Sequence, residues 1–285
     1  LHGVPIAVKD LCYTKGVATM GATKALANNV PDFDCTVVKK LNAAGAVILG
    51  KLNLTEGAMA GYNPEFQVPV NPWGANLWSG ASSSGSGVAT SAGLCYGSLG
   101  SDTGGSIRFP SAACGIVGIK PTWGRVSRYG VLALAESLDH IGPMTRSAAD
   151  AGIILQAMAG LDPNDPTTLP APVPDMLEGI GQGVRGLRIG LDEEYISGNT
   201  DPELVESVLA GIRVIEGLGA VIVPIKMPDL RGYMDAWGVL CTSEALAAHE
   251  ATYPSRRDDY GPWFQGWLDK GAAVTGAEYA KANNV

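Results

Sequence analysis

The chain has 285 residues, 46% of them apolar and 17% charged, with a formal net charge of −8. That composition excludes a disordered chain, and the length allows a large buried core. The negative balance disfavours a phosphate-binding nucleic-acid surface, and no apolar run reaches the roughly 18 residues of a membrane span.

The elements read as alternating strands and helices. "VPIAVKD" is a short apolar strand ending in charge. "DCTVVKKLNAAG" reads as a helix with Val37, Val38, Leu41 and Ala44 on one face and Gly45 as its stop. "AVILG" follows as a buried strand. "RSAADAGIILQAMAG" opens on Ser147 and Asp150 as a capping box, with Ala151, Ile154, Leu155 and Met158 as its apolar stripe. Residues 161–186, rich in Pro, Asp and Gly, read as a long surface connection. "LRIGL", a helix from Pro202 to about Gly217, and "AVIVPI" form a strand–helix–strand unit, with Leu204, Val208, Ile212 and Ile215 lining the helix. Strands separated by helices predict an α/β fold with a parallel or mixed sheet covered by helices. The chain opens inside a strand and stops just after a helical stretch, so a fragment cut at both ends is expected.

Glycine is in excess, at 38 residues, about 13% against a usual ~7%. It follows no period and belongs to turns and close backbone approaches. The five cysteines, Cys12, Cys35, Cys95, Cys114 and Cys241, form no CxxC pair. They suit buried reduced thiols in a reducing compartment, with a cytoplasmic location as the expectation.

Two serine–glycine runs stand out, "GASSSGSG" at 80–87 and "GSDTGGSIR" at 100–108. Both carry P-loop glycine spacing but put Ser where the phosphate-binding Lys must stand, so neither suits a nucleotide. "GQGVRG" at 181–186 precedes its strand and reads as a turn. "HEATY" lacks the second His of a zinc protease motif, and His2, His140 and His249 with scattered cysteines propose no metal site. No G-x-S-x-G surrounds these serines, and His140 in "SLDHIGP" reads as a loop or core histidine. A lysine can activate serine when burial lowers its pKa from about 10.4. From the residues alone, Lys9 stands between a solvated strand-end lysine and such a base.

"GASSSGSGVATSAGLCYGSLGSDTGGSIRFPS" at 80–111 resembles the signature of the amidase signature family. It fits at Gly80, Ser82, Gly85, Asp102, Gly104, Ser106, Arg108 and Pro110. "GVPIAVKD" resembles the family's lysine strand, and "GIVGIKPTWGRVSRYGV" and "SLDHIGPMTRSAADAGIIL" resemble the segments after the signature. Ala81 and Ser84 stand where Gly is more frequent. The likeness runs from residue 1 to about 160 and is weaker beyond. Family members usually carry a helical segment before the lysine strand and a long C-terminal portion. One amidase signature domain over 1–285, incomplete at both ends, is therefore expected.

The resemblance implies a Ser-cisSer-Lys triad on matching positions: Ser106 as nucleophile, Ser82 after a cis peptide bond as proton bridge, and Lys9 as base. Thr103, Gly104, Gly105 and Ser106 would offer oxyanion-hole N–H groups. Asp102 and Arg108 would support that turn, and Ser83 would hydrogen-bond within the triad. Met59, Tyr62 and Trp73 either line an acyl pocket or pack in the core. The implied activity is hydrolysis of a carbon–nitrogen bond through an acyl-enzyme, without metal or cofactor. The implied substrate is a small-molecule amide, with no direct nucleic-acid binding; a homodimer stays open. So does the choice among aliphatic, aryl or peptide amides, carbamates or esters, and the glutaminase component of a tRNA-dependent amidotransferase, to which "GRVSRYGV" is similar.

Overall fold

A computed structural model describes residues 1–285. The elements run β1 (Pro5–Lys9), α1 (Thr36–Ala43), β2 (Val47–Leu52), α2 (Ser84–Ser91), β3 (Gly97–Asp102), α3 (Arg108–Cys114), β4 (Val117–Gly118), β5 (His140–Thr145) and α4 (Ala148–Met158). Then follow β6 (Arg188–Leu191), α5 (Glu193–Ser197), α6 (Pro202–Gly217), β7 (Val221–Pro224), α7 (Arg231–Ala248), α8 (Pro262–Ala273) and α9 (Gly276–Asn283). Backbone contacts divide the chain into two units, Leu1–Met176 with Asp235–Val285, and Leu177–Met234.

The first unit holds a mixed sheet of order β2-β1-β3-β5-β4. β1 runs parallel to β2 and β3, while β5 is antiparallel to β3 and β4. A core forms where Ile6, Val8, Leu99 and Ile141 of the sheet meet Val37, Val38 and Leu41 of α1 and Ile154, Leu155 and Met158 of α4. Burying each such side chain contributes about 1.5–3 kcal/mol. Ser147 caps α4 by accepting from the Asp150 N–H. A second core gathers Leu11, Leu54 and Leu134 with Cys241, Ala245, Tyr260, Phe264 and Leu268 of the C-terminal helical region.

β2 departs from its expectation. It is an edge strand, with Val47 49% and Leu49 53% exposed. A short apolar run reads alike at the centre and the rim of a sheet, and only pairing decides. The 161–186 segment also differs in part. It contains no helix or strand, yet Asp162 is buried and accepts from Thr36 Oγ1 (2.5 Å) and Ser127 Oγ (2.6 Å).

α2 is built of small residues because it lies close against β3. Ser86 Oγ donates to Leu99 O (2.8 Å), and Thr90 bonds Ser98 (2.8 Å). Gly80 opens the turn before it at φ +79°, and a Cβ there would lie 2.2 Å from Pro110 Cα. That neighbour is backbone and cannot move aside. Gly80→Ala is expected to lower stability by about 2–4 kcal/mol. A fall in the urea midpoint at unchanged slope is the readout; an unchanged midpoint would contradict the packing.

In the second unit β6 and β7 pair in parallel. Of the predicted α6 stripe, Ile212 and Ile215 are half-buried, but Leu204 and Val208 are exposed. The reason is size: α6 has 16 residues and the strands four each, about 24 Å of helix over about 13 Å of strand. No helix of either unit is long and apolar enough to cross a membrane. All five cysteines are buried and free.

Candidate active site

The site lies in the first unit, at the ends of its two central parallel strands. Val8 of β1 pairs with Leu99 of β3, so the next residue, Lys9, comes level with Gly100, one residue from Ser101. The Lys9 side chain is 1% exposed. Its Nζ donates to Ser82 Oγ (2.6 Å) and Ser101 Oγ (2.9 Å). Burial pulls the amine down to about 7, while Asp139, Cys12 and Asp102 act in the opposite direction. A lysine at that value exchanges its proton near neutral pH, unlike a solvated one.

Ser82 is fully buried, and the Ala81–Ser82 peptide bond is cis. Ser83 bonds backbone where a triad side chain was expected. Its Oγ donates to Ser101 O (3.2 Å), because the first turn of α2 lies against the end of β3. Ser106 is half-buried, and its carbonyl accepts the Ser83 N–H (3.2 Å). No hydrogen bond joins the Ser82 and Ser106 hydroxyls. The structure thus brings Lys9 and Ser82 into direct contact and ties Ser106 to the serine run through the backbone.

The second run turns around Asp102. Its carboxylate accepts the Gly105 N–H (2.8 Å) and Ile107 N–H (3.1 Å), and Arg108 Nε (3.0 Å) and Nη2 (2.9 Å). Burial works to raise the Asp102 pKa, but Arg108 and these N–H groups hold it below the ordinary carboxylate value. Gly105 sits at φ +129°, and a Cβ there would strike the Phe109 ring at 2.2 Å. One expected oxyanion donor therefore differs: the Gly105 N–H is already committed to Asp102. The N–H groups of Thr103, Gly104 and Ser106 make no hydrogen bond. Asp102→Ala leaves two buried donors without an acceptor, an expected loss of about 2–4 kcal/mol. The Arg108 side chain is 55% exposed but its partner carboxylate only 1%. Arg108→Ala therefore takes two charge-assisted bonds from a buried anion that keeps its backbone donors, and should cost less than Asp102→Ala, about 1–3 kcal/mol. Urea unfolding of both variants checks the order, and a reversed order would remove Asp102 as the anchor of the turn.

Three contributors went unrecognised in the sequence. Ser101 is the second acceptor of the Lys9 amine. Asp139 is buried and accepts Thr103 Oγ1 (2.5 Å) and the Leu134 N–H (2.9 Å). Trp237 of α7 donates its Nε1–H to Thr103 O (2.9 Å). Ser101 stands inside the quoted run, but its type alone does not mark it. Asp139 and Trp237 reach the site only through folding. His140 bonds Asp102 O through Nδ1 (3.0 Å), consistent with a structural histidine.

Ser106, Ala81, Thr103 and Gly104 open onto a cavity of about 100 Å³ walled by Met59, Phe109, Leu134 and Trp237. Of the pocket candidates, Met59 lines it. Trp73 is 69% exposed and donates to Cys114 O (2.8 Å); Tyr62 is half-buried and not among the lining residues. A larger groove of about 540 Å³ near Trp123, Arg128 and Tyr279 shares no residue with this cavity. The described residues contain no cluster of His, Cys, Asp and Glu able to hold a metal ion.

The Amidase family's sequence model matches residues 1–283. The chain belongs to the Amidase family. It is 48% identical over 279 residues to the "Putative amidase AmiD" of Mycobacterium tuberculosis, across 98% of this chain and 58% of that protein. It is 45% identical over 247 residues to the A component of the glutamyl-tRNA(Gln) amidotransferase of Anaeromyxobacter dehalogenans, across 86% of this chain and 50% of that one. The structure of a peptide amidase from Stenotrophomonas maltophilia superposes with a TM-score of 0.83 at 33% identity, covering 100% of this chain and 64% of that amidase. The chain thus spans about half the length of the curated relatives it matches. The mixed sheet with its helices is the fold of these amidase signature enzymes.

Proposed function

We propose that this chain carries the catalytic part of an amidase that cleaves a carbon–nitrogen bond through an acyl-enzyme on Ser106. The observation that carries the reading is the contact of the buried Lys9 amine with Ser82 Oγ at 2.6 Å. Neutral Lys9 accepts a proton from Ser82 as Ser82 takes one from Ser106, and Ser106 Oγ attacks the amide carbonyl. For this the Ser106 hydroxyl turns onto Ser82, a contact that tightens when substrate fills the cavity. Thr103, Gly104 and Ser106 N–H groups receive the oxyanion. The relay then returns the proton to the leaving amine, and water, activated the same way, frees the acid. No step calls on a metal or cofactor. Ser83, Asp102 and Arg108 hold the two turns in place. The reading includes a small amide as substrate and a cytoplasmic setting, which the five free buried thiols support.

The test is covalent labelling by a fluorophosphonate, with the labelled peptide mapped. Modification of Ser106 supports the reading; an unlabelled protein, or a label elsewhere, overturns it. The 45% identity to the A component of an amidotransferase favours one second reading, a glutaminase working within a complex. Hydrolysis of simple amides without ATP or tRNA decides against that reading, and strict dependence on a partner decides for it.

A further inference from the structure

We propose that Asp139 is a positioning residue of this site, fixing the oxyanion turn with one set of contacts and the charge felt by Lys9 with its own. The inference rests on the amidase reading above. Asp139 joins two segments of the cavity wall. Thr103 Oγ1 of the oxyanion turn donates to Oδ1 (2.5 Å), and the Leu134 N–H donates to Oδ2 (2.9 Å). The Ala135 N–H adds bonds to both oxygens at 3.2 Å. Thr103 and Leu134 both face the Ser106 cavity, so one carboxylate spans the donor loop and the opposite wall.

The same residue reaches behind the lysine. Asp139 and Ser101 line one small cavity of about 30 Å³, and Ser101 holds Lys9 Nζ. The groups acting on Lys9 from its surroundings are Asp139, Cys12 and Asp102. Cys35 and burial raise the Cys12 thiol well above its usual value, so it stays neutral. Asp102 is paired with Arg108. Burial raises the Asp139 carboxyl to about 6, so above that pH it is the remaining anion, and across the pH where Lys9 titrates it acts to keep a proton on the amine. Around Asp139 itself stand Arg128, Glu136 and the Cys241 thiol, which burial keeps neutral. Removing the Asp139 charge therefore lets the Lys9 amine shed its proton at lower pH. Removing its bonds loosens the turn that receives the oxyanion.

The two effects separate in a pH profile of the fluorophosphonate labelling rate, measured from about pH 5 to about 9 on the whole protein, its Asp139→Asn variant and its Asp139→Glu variant. Asp139→Asn should move the acid limb down by about half a pH unit or more, and lower the plateau about tenfold. Asp139→Glu keeps the charge but misplaces the bonds, so its plateau should fall while its limb stays at the parental pH. A lowered plateau with an unmoved limb in the Asn variant overturns the electrostatic part. Should the Asn variant fail to fold, a shifted limb in the Glu variant does so instead. Parental plateaus in both variants overturn the positioning part. If the parent protein is not labelled at Ser106, the amidase reading itself fails, an outcome distinct from all of these.

Discussion

Ser106→Ala is expected to abolish acyl-enzyme formation and turnover while leaving the fold unchanged. The hydroxyl is half-buried at the mouth of the cavity and makes no hydrogen bond, so its removal leaves no partner unsatisfied. The backbone contact from the Ser83 N–H to Ser106 O survives the substitution. Stability should therefore change by no more than about 0.5 kcal/mol. Loss of a serine nucleophile typically lowers kcat by on the order of 10⁴- to 10⁶-fold. Intact-mass spectrometry after fluorophosphonate treatment, beside a urea melt, measures both halves. A variant that still gains the adduct mass moves the nucleophile elsewhere.

Lys9→Met is expected to remove the same activity and to alter how stability depends on pH. In the folded chain burial holds the amine at about 7, against 10.5 unperturbed. Below about 7 both folded and unfolded chains carry the proton, and above 10.5 neither does. Between those values only the unfolded chain binds it, so the parent loses stability as pH falls across the window. The slope approaches about 1.4 kcal/mol per pH unit. The Met variant has no such group. Its unfolding free energy relative to the parent should rise as pH falls from 10.5 to about 7, then level off. Urea melts at intervals across this range test it, and a flat difference would mean that Lys9 titrates like a solvated lysine.

Much of the frame was legible because it rests on local pattern. Val37, Val38 and Leu41 of α1 and the α4 stripe bury as periodicity predicts, while Ala44, the C-cap of α1, is half-buried; Ser147 caps where its hydroxyl precedes an apolar run. The serine runs suggested chemistry only through their resemblance to the family signature, since residue types and spacing alone left Lys9 between a solvated lysine and a base. What escaped depends on distance along the chain. Asp139 acquires its meaning from Thr103, 36 positions earlier, and Trp237 from the same residue 134 positions away. Nothing in "SLDHIGP" separates the aspartate from its histidine neighbour before β5 pairs with β3. The commitment of the Gly105 N–H to Asp102 was equally hidden, since composition counts donors but not how they are used.

The parts of the cavity differ in how they are held. Lys9, Ser101 and Asp102 end the two central strands, whose ladder pins them to the deepest layer of the unit. Met59 and Leu134 sit on connecting segments, and Trp237 on a helix from far along the chain. Substitutions at these walls alter the volume beside Ser106 without breaking a single rung between β1 and β3. On the amidase reading proposed above, such a molecule can drift in what it accepts while Lys9 and its strand-end neighbours keep their spacing. Of the three walls Met59 is the one to vary first, because it is only partly buried, whereas Leu134 is buried in the second core and Trp237 holds Thr103 O.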